Sequence, residues 1–364
     1  MSDWNAFVRR QIESGASVDP STDATGIARY GALPQEYDAL CSGLALVCRA
    51  DRGLLEVAGA DRSGWLHNLV TNQVKTLGCA EGVYAFALDL KGRIQFDMNI
   101  LVDNESIRLD LDRGFLPAAL KHFEKYTVIE EVAVADRSGD SVRFALVGDG
   151  AKALLGELGA PHAAALPLLS TTTLTWDGVA IPMFRSDFCG CFAVEWMVPA
   201  QLAVEVWRGL VDAARARPAV PVGGEAVHIR RIEAGMPWPG QEITDEVVPA
   251  ETMQLDRAVS FQKGCYLGQE IVERMRSRGV VARRLVGLRF ARGATPASGA
   301  LLHDPDGKPV GRVTSSCHRV HTEESIGLGY AASAAAASGT ELTVRWDGRS
   351  AGAVVADLPF IRTS

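Results

Sequence analysis

The stretch that most restricts the fold lies between Val83 and Val102. An apolar run, Val83–Leu90, leads through Lys91-Gly92 into Ile94–Val102, where Ile94, Phe96, Met98 and Ile100 alternate with Gln95, Asp97 and Asn99. A period of two marks a strand with one buried face, and a short Gly-containing break between two such runs marks a hairpin. An antiparallel sheet is therefore built early in the chain. Its second strand carries Asp97 on the polar face. That face is either solvated, as is common in antiparallel sheets, or it is the polar wall of a ligand channel.

Around the hairpin the pattern mixes both periods. Leu44–Cys48, Leu54–Val57 and Val128–Ala135 read as strands, while Trp65, Leu66, Leu69 and Val70 recur at helical spacing, as do Leu116, Leu120 and Phe123. No G-x-G-x-x-G or Walker-type run occurs, so a dinucleotide-binding fold is disfavoured and an α+β class is expected. After Arg283 the texture changes to short β-rich runs (Leu285–Phe290, Val310–Thr314, Glu341–Trp346, Ala353–Ala356) punctuated by Asp306-Gly307 and Asp347-Gly348. This predicts a small closed or nearly closed β-barrel domain. The Ala-rich run Ala331–Ala337 reads as helix or loop inside it. Three parts are expected: a peripheral arm over 1–35, with a helix-like start and the polar stretch Ser17–Asp23, a body over 36–282, and the β-domain over 283–364.

Composition removes several function classes. Charged residues make up 22% with a net charge of −7, so no global basic field draws the chain to nucleic acid and no direct contact with it is expected. No run approaches the roughly 18 apolar residues of a membrane span. The seven cysteines are odd in number and include no CxxC pair, which reads as reduced thiols. Met1-Ser2-Asp3-Trp4 opens no secretory signal, and a cytoplasmic location is expected.

The richest chemistry lies in Phe261-Gln262-Lys263-Gly264-Cys265-Tyr266-Leu267-Gly268-Gln269-Glu270. Ile271, Val272 and Met275 follow at helical spacing, Glu270 and Arg274 are four apart, and Gly279 is a natural stop. Cys265 thus falls just before a helix or in its first turn. The positive end of that helix and the ammonium of Lys263 would favour a thiolate, and Gly264 and Gly268 would allow a ligand or partner to approach. The alternative is a small residue packed at a helix start.

Lys263–Glu270 resembles the K-G-C-Y-x-G-Q-E signature of YgfZ-type folate-binding proteins, relatives of the glycine-cleavage aminomethyltransferase. Arg231-Ile232-Glu233-Ala234-Gly235 resembles the R-(L/I)-E-A-G segment of the wider superfamily. Gly240–Ile243, Pro249-Ala250-Glu251, Asn68–Asn72 and Lys91-Gly92-Arg93 are similar to further parts of its pattern, and Gly311–Ser315 through Pro359-Phe360 resemble its C-terminal barrel. The resemblance implies a ring-like folate-binding body with a small β-barrel and tetrahydrofolate in a central channel. It further implies a role in assembling or repairing iron–sulfur proteins, with client or assembly proteins of that kind as partners and indirect effects on tRNA modification. Cys265 would be the functional thiol, supported by Lys263, and Arg231, Glu233, Tyr266 and Gln269 would contact the folate.

The chain also departs from the transferase pattern. Asp97 falls where aminomethyltransferases place an Asp against the reacting folate nitrogen. Their T-G-E segment, whose Glu grips the pterin, is matched by Arg185–Glu195, and register with the following Val198-Pro199 puts Cys191 at the Glu position; Glu195 or Asp187 would have to substitute. A thiol cannot make the bidentate contact of a carboxylate. Cys189 and Cys191, on one face if the stretch is a strand, would with Cys265 form a three-thiolate site, or else are small packed residues. Arg274, Arg276, Arg278, Arg283 and Arg284 either hold a folate tail or an acidic partner, or form a solvated face. His318 and His321 beside Cys317 offer weak metal spacing, and no metal site is expected. Three functions remain open: an iron–sulfur maintenance factor, a tetrahydrofolate-dependent aminomethyltransferase or demethylase using Asp97, and a scaffold that binds no folate.

Overall fold

A computed structural model describes residues 3–13, 15–18, 26–214, 219–279 and 281–361. Most of the polar stretch Ser17–Asp23 lies outside the described residues; Ser17–Val18 pairs as a short strand with Ile27–Arg29. The chain divides into two compact units. The first comprises 1–67, 73–84 and 98–227, and the second 68–72, 85–97 and 228–364.

In the first unit a six-stranded sheet runs in the order Thr171–Trp176, Val179–Ser186, Ala193–Pro199, Ser141–Val147, Leu44–Cys48, Ala219–Val222. All neighbours are antiparallel except the last pair, where Ala219–Val222 lies parallel to Leu44–Val47. One sheet face buries Leu46, Phe144, Leu146, Val194, Trp196 and Val198 against the helices Asp149–Glu157 and Ala203–Ala214. The first helix, Asp3–Glu13, is not a peripheral arm. Phe7 is fully buried, 5.2 Å from the ring of Phe144 and 5.7 Å from that of Trp207. An aromatic side chain excluded from water in this way contributes about 1.5–3 kcal/mol to the core.

A five-stranded sheet has the order Gly82–Leu88, Ile94–Val102, Ser106–Asp112, Arg52–Ala58, Ala133–Asp136. The hairpin expected around Lys91-Gly92 is present: Gly92 has φ +72°, and the Asp89 carboxylate accepts from the backbone N–H groups of Lys91 and Arg93. Ile94, Phe96, Met98 and Ile100 are all buried. The strand expected over Val128–Ala135 is confined to its end. Glu130 instead accepts from the backbone N–H of Val128 and Ile129, which folds that stretch into a turn and leaves both apolar side chains exposed.

Within the second unit, six strands close into a barrel in the order Arg283–Phe290, Ser325–Ala332, Pro309–His318, Leu301–His303, Glu341–Trp346, Arg349–Ala356. Val286, Leu288, Leu302, Val313, Val344 and Val355 fill it. Asp347-Gly348 joins Trp346 to its partner Arg349 with positive φ at both residues (44° and 72°), the turn whose twist suits a two-residue hairpin. Ala331 and Ala332 end a strand, and Ser333–Ala335 form a single 3₁₀ turn. The fold is thus the α+β body with a small C-terminal β-barrel that the sequence predicts. No helix among the described residues is long and apolar enough to cross a membrane.

Candidate functional site

The motif around Cys265 is held in place by segment 68–72 and by the hairpin turn, all within the second unit. Thr71, fully buried, donates its hydroxyl to the Ala258 carbonyl at 2.6 Å and accepts from the Phe86 N–H at 2.9 Å. Asn72 donates to the Arg257 carbonyl, Ser260 N–H to the Thr71 carbonyl, and Leu267 N–H to the Asn68 carbonyl. Lys263 turns inward: its ammonium donates to the Val70 carbonyl at 2.6 Å and lies 4.8 Å from the Tyr266 ring centroid. Burial pulls the Lys263 pKa down to about 7.

The helix after the motif spans Gln269–Arg278, with Gly268 and Gly279 in left-handed conformation at its two ends. Gly268 has φ +82°, and a Cβ there would meet the Asp89 carbonyl oxygen at 2.6 Å. Gly92 of the hairpin turn would in the same way meet Ile271 at 2.7 Å. The two glycines let the helix start seat directly on the turn. Gln269 serves this local fold: its side-chain carbonyl accepts from the Tyr266 N–H at 3.3 Å. The expected Glu270–Arg274 ion pair is not formed; Arg276 instead pairs with Glu273 and stacks 4.0 Å over Phe261.

Cys265 is exposed. It stands four residues before the first helical residue, Gln269, outside the turn over which a helix end acts strongly. A Cβ at Gly264 would meet nothing within 4 Å, and Gly264 has no positive φ. Gly264 and Cys265 thus form an open stretch of backbone and thiol, anchored on one side by Lys263 and on the other by Tyr266. The Tyr266 ring is buried and its hydroxyl has no hydrogen-bond partner among the described residues. Burial also raises the Tyr266 pKa well above its usual value.

Asp97, on the same hairpin strand, is 8% exposed, so its face is not the solvated face of a half-exposed sheet. Arg231 and Glu233 do not present themselves to a ligand. Arg231 is fully buried, 2.7 Å from Glu242 and 2.6 Å from Ser315 Oγ, with further bonds to Gln241 and the Met236 carbonyl. Glu233 is fully buried and takes Arg319 at 2.8 Å and Arg230 at 3.7 Å. Both secure the helix Gly224–Glu233 to neighbouring segments, because a buried charge persists only where it is paired.

The first unit holds the residues at the pterin-Glu position. Cys189 and Cys191 lie in a turn between strands, with Gly190 at φ +73°, rather than on one strand face. Cys189 is fully buried, and Cys191 donates its thiol to the Leu40 carbonyl at 3.6 Å. Neither matches the exposure of Cys265, and no group of three or more His, Cys, Asp or Glu side chains among the described residues could hold a metal ion. Asp187 is half-buried in the same turn. Glu195, the other substitute, is committed elsewhere: it lies 3.5 Å from Arg49 and 3.5 Å from Arg143.

That pairing belongs to an ionic cluster whose members come mostly from distant parts of the chain. Arg143 and Arg52 each reach Asp110 at 2.9 Å, Asn99 donates to the same carboxylate at 2.8 Å, and Arg49 takes Asp51 at 2.8 Å. Arg49 also stacks 3.9 Å over Phe188. Of the arginines that would either hold a folate tail or an acidic partner or form a solvated face, Arg274 and Arg284 are exposed, Arg283 pairs with Glu251, and the side chain of Arg278 lies outside the described residues.

Residues 25–263 match the GCVT N-terminal domain, and residues 283–361 match the glycine cleavage T-protein C-terminal barrel domain. The chain belongs to the glycine cleavage T-protein family. A T-protein relative from Symbiobacterium thermophilum, an aminomethyltransferase, is 28% identical over 97% of this chain and 95% of its own length. A putative chloroplastic transferase of Arabidopsis thaliana is 26% identical over 90% of this chain and 73% of its own length. In fold, the chain matches the glycine cleavage system aminomethyltransferase T from Bartonella henselae with a TM-score of 0.87 at 21% identity, covering 98% of this chain and 97% of that one.

Proposed function

We propose that this T-protein-family chain is a YgfZ-type tetrahydrofolate-binding factor, acting in the cytoplasm in the assembly or repair of iron–sulfur proteins. Its partners would be folate and iron–sulfur client or assembly proteins, and any effect on tRNA modification would pass through those clients. The observation that carries the reading is the exposed Cys265 beside an unencumbered Gly264, in a loop where Lys263, Tyr266 and Gly268 are fixed by packing. A thiol presented in this way suits contact with a partner or its cluster better than it suits a folded-core role. We assign the folate-binding body to 36–282 and the barrel domain to 283–364.

The residues present fit tetrahydrofolate in part. Bound tetrahydrofolate would supply a secondary amine able to hold a one-carbon unit. Asp97 is nearly buried on its strand, and the hydroxyl of Tyr266, which has no hydrogen-bond partner among the described residues, would make a polar contact with the folate. Cys191 stands where the carboxylate that grips the pterin edge would be and Glu195 is held by two arginines, which leaves Asp187 as the substitute. Weaker pterin binding than in a transferase is expected.

Aminomethyl transfer through Asp97 is the second reading, supported by the names of the relatives and by the burial of Asp97. Two assays on the purified chain separate the readings. Tetrahydrofolate at a hundred times its Kd should stabilise the fold by about 2.7 kcal/mol, seen as a raised melting temperature. With a lipoyl carrier and tetrahydrofolate there should be no turnover. Turnover that Asp97→Asn abolishes would establish the transferase instead, and no response to tetrahydrofolate would leave the scaffold reading.

A further inference from the structure

We propose that a cavity of about 320 Å³ on the outside of the C-terminal barrel binds a small zwitterion of the amino-acid type. The cavity lies wholly within the second unit, between the turn at 250–253 and the strand Arg283–Phe290, and is closed by segment 356–358. Its volume sits at the lower end of the range for small-molecule pockets, about 300–1,000 Å³, so it suits one compact molecule.

The charges on its wall decide the ligand class. Arg284 and Asp357 both line it, both are exposed, and neither makes an ion pair with another described residue. The other carboxylate there, Glu251, is already taken by Arg283 at 3.1 Å. One free cation and one free anion thus face the same space without meeting each other. A simple anion would be attracted by Arg284 and repelled by Asp357, and a simple amine the reverse. A molecule carrying a carboxylate and an ammonium satisfies both, the carboxylate on the guanidinium and the ammonium on Asp357.

The rest of the wall is aliphatic: Ala250, Val281, Ala336 and Leu358, with Leu285 and Val286 buried behind. An aliphatic or thioether side chain would be accepted there and a charged one disfavoured. Met253 stands beside this space, 60% exposed and at φ +58°, a conformation costly for a residue with a Cβ. Its turn is locked by Thr252, whose hydroxyl donates to the Pro249 carbonyl at 2.8 Å and accepts from the Gln254 N–H at 3.1 Å. The wall is therefore pre-formed. The site is separate from the folate reading and stands whether or not that reading does.

Titration calorimetry on the full chain tests it, with L-alanine, L-leucine and L-methionine as probes. Two half-ligands, 4-methylpentanoate and 3-methylbutylamine, carry leucine's chain with one charge each. Saturable binding of at least one amino acid is expected, with both half-ligands and both single variants, Arg284→Gln and Asp357→Asn, weaker by about tenfold or more. Both substitutions are at exposed, unpaired side chains, and unchanged melting temperatures would confirm intact folds. The proposal is overturned if no amino acid binds with a Kd below about 10 mM. It is equally overturned if a half-ligand binds as tightly as leucine, or if either variant binds like wild type.

Discussion

A methyl group placed on Gly268 would sit 2.6 Å from the Asp89 carbonyl oxygen, on a backbone already at φ +82°. Four residues earlier, a methyl group on Gly264 would touch nothing within 4 Å. Gly268→Ala should therefore cost about 2 kcal/mol or more, while Gly264→Ala should stay within about 0.5 kcal/mol, both read by urea denaturation. If Gly264→Ala keeps its stability but loses function in cells, the open stretch beside Cys265 serves a partner and not the fold. Lys263 adds a pH signature. Burial holds its folded pKa near 7, below the roughly 10.4 of an unfolded lysine, so the unfolded chain binds more protons between those values. The contribution of Lys263 to stability thus rises with pH across that window and is lowest below it. Against Lys263→Met, in which nothing titrates at this position, wild type should gain ground steadily from pH 7 to pH 10 in the same denaturation assay.

At the level of sheets and helices, the ionic cluster is the feature with the largest predicted effect. Burial alone would raise the Asp110 pKa, but Arg143 and Arg52 outweigh it and hold the carboxyl well below the usual carboxylate range. Asp110→Asn should cost about 3–5 kcal/mol at neutral pH, because it leaves two buried guanidinium groups short of charge. An acid with a depressed folded pKa stabilises above its unfolded value and loses that contribution as pH falls. The gap between wild type and the variant should hold down to about pH 4 and narrow below it. Little in the order of residues announces this cluster: Arg49, Asp51 and Arg52 are close in the chain, but Asp110, Arg143 and Glu195 come from separate strands that meet only in the folded unit. The elements themselves were legible where side-chain period was clean, as at Ile94–Val102 and Glu341–Trp346, or where a short apolar run was continuous, as at Leu44–Cys48. The period misled at Val128 and Ile129, where a carboxylate two residues on drew the backbone into a turn. It was diluted at Ser325–Ala332, where Gly327 and Gly329 replace side chains to let neighbouring backbone approach.

For the whole molecule, division along the sequence and division in space are different things. Cuts at residues 35 and 282 follow changes in texture, whereas the second unit gathers 68–72 and 85–97 with everything after 228. Short motif pieces far apart in the chain come together there: Asn68–Asn72 and Lys263–Glu270 are hydrogen-bonded to each other, and Gly92 of Lys91-Gly92-Arg93 packs against Ile271 just after the motif. Motif recognition found those pieces, but it could not tell exposed from buried. It assigned Arg231 and Glu233 to a ligand although both are fully buried and ion-paired, and it singled out Cys265, which is exposed. The proposed role is decided most directly by complementing a bacterial strain that lacks its YgfZ-type protein, with the activity of an iron–sulfur-dependent enzyme as readout and expression of each variant checked. Wild type and Asp97→Asn should restore that activity and Cys265→Ala should not. Failure by well-expressed wild type, or full rescue by Cys265→Ala, would contradict the account.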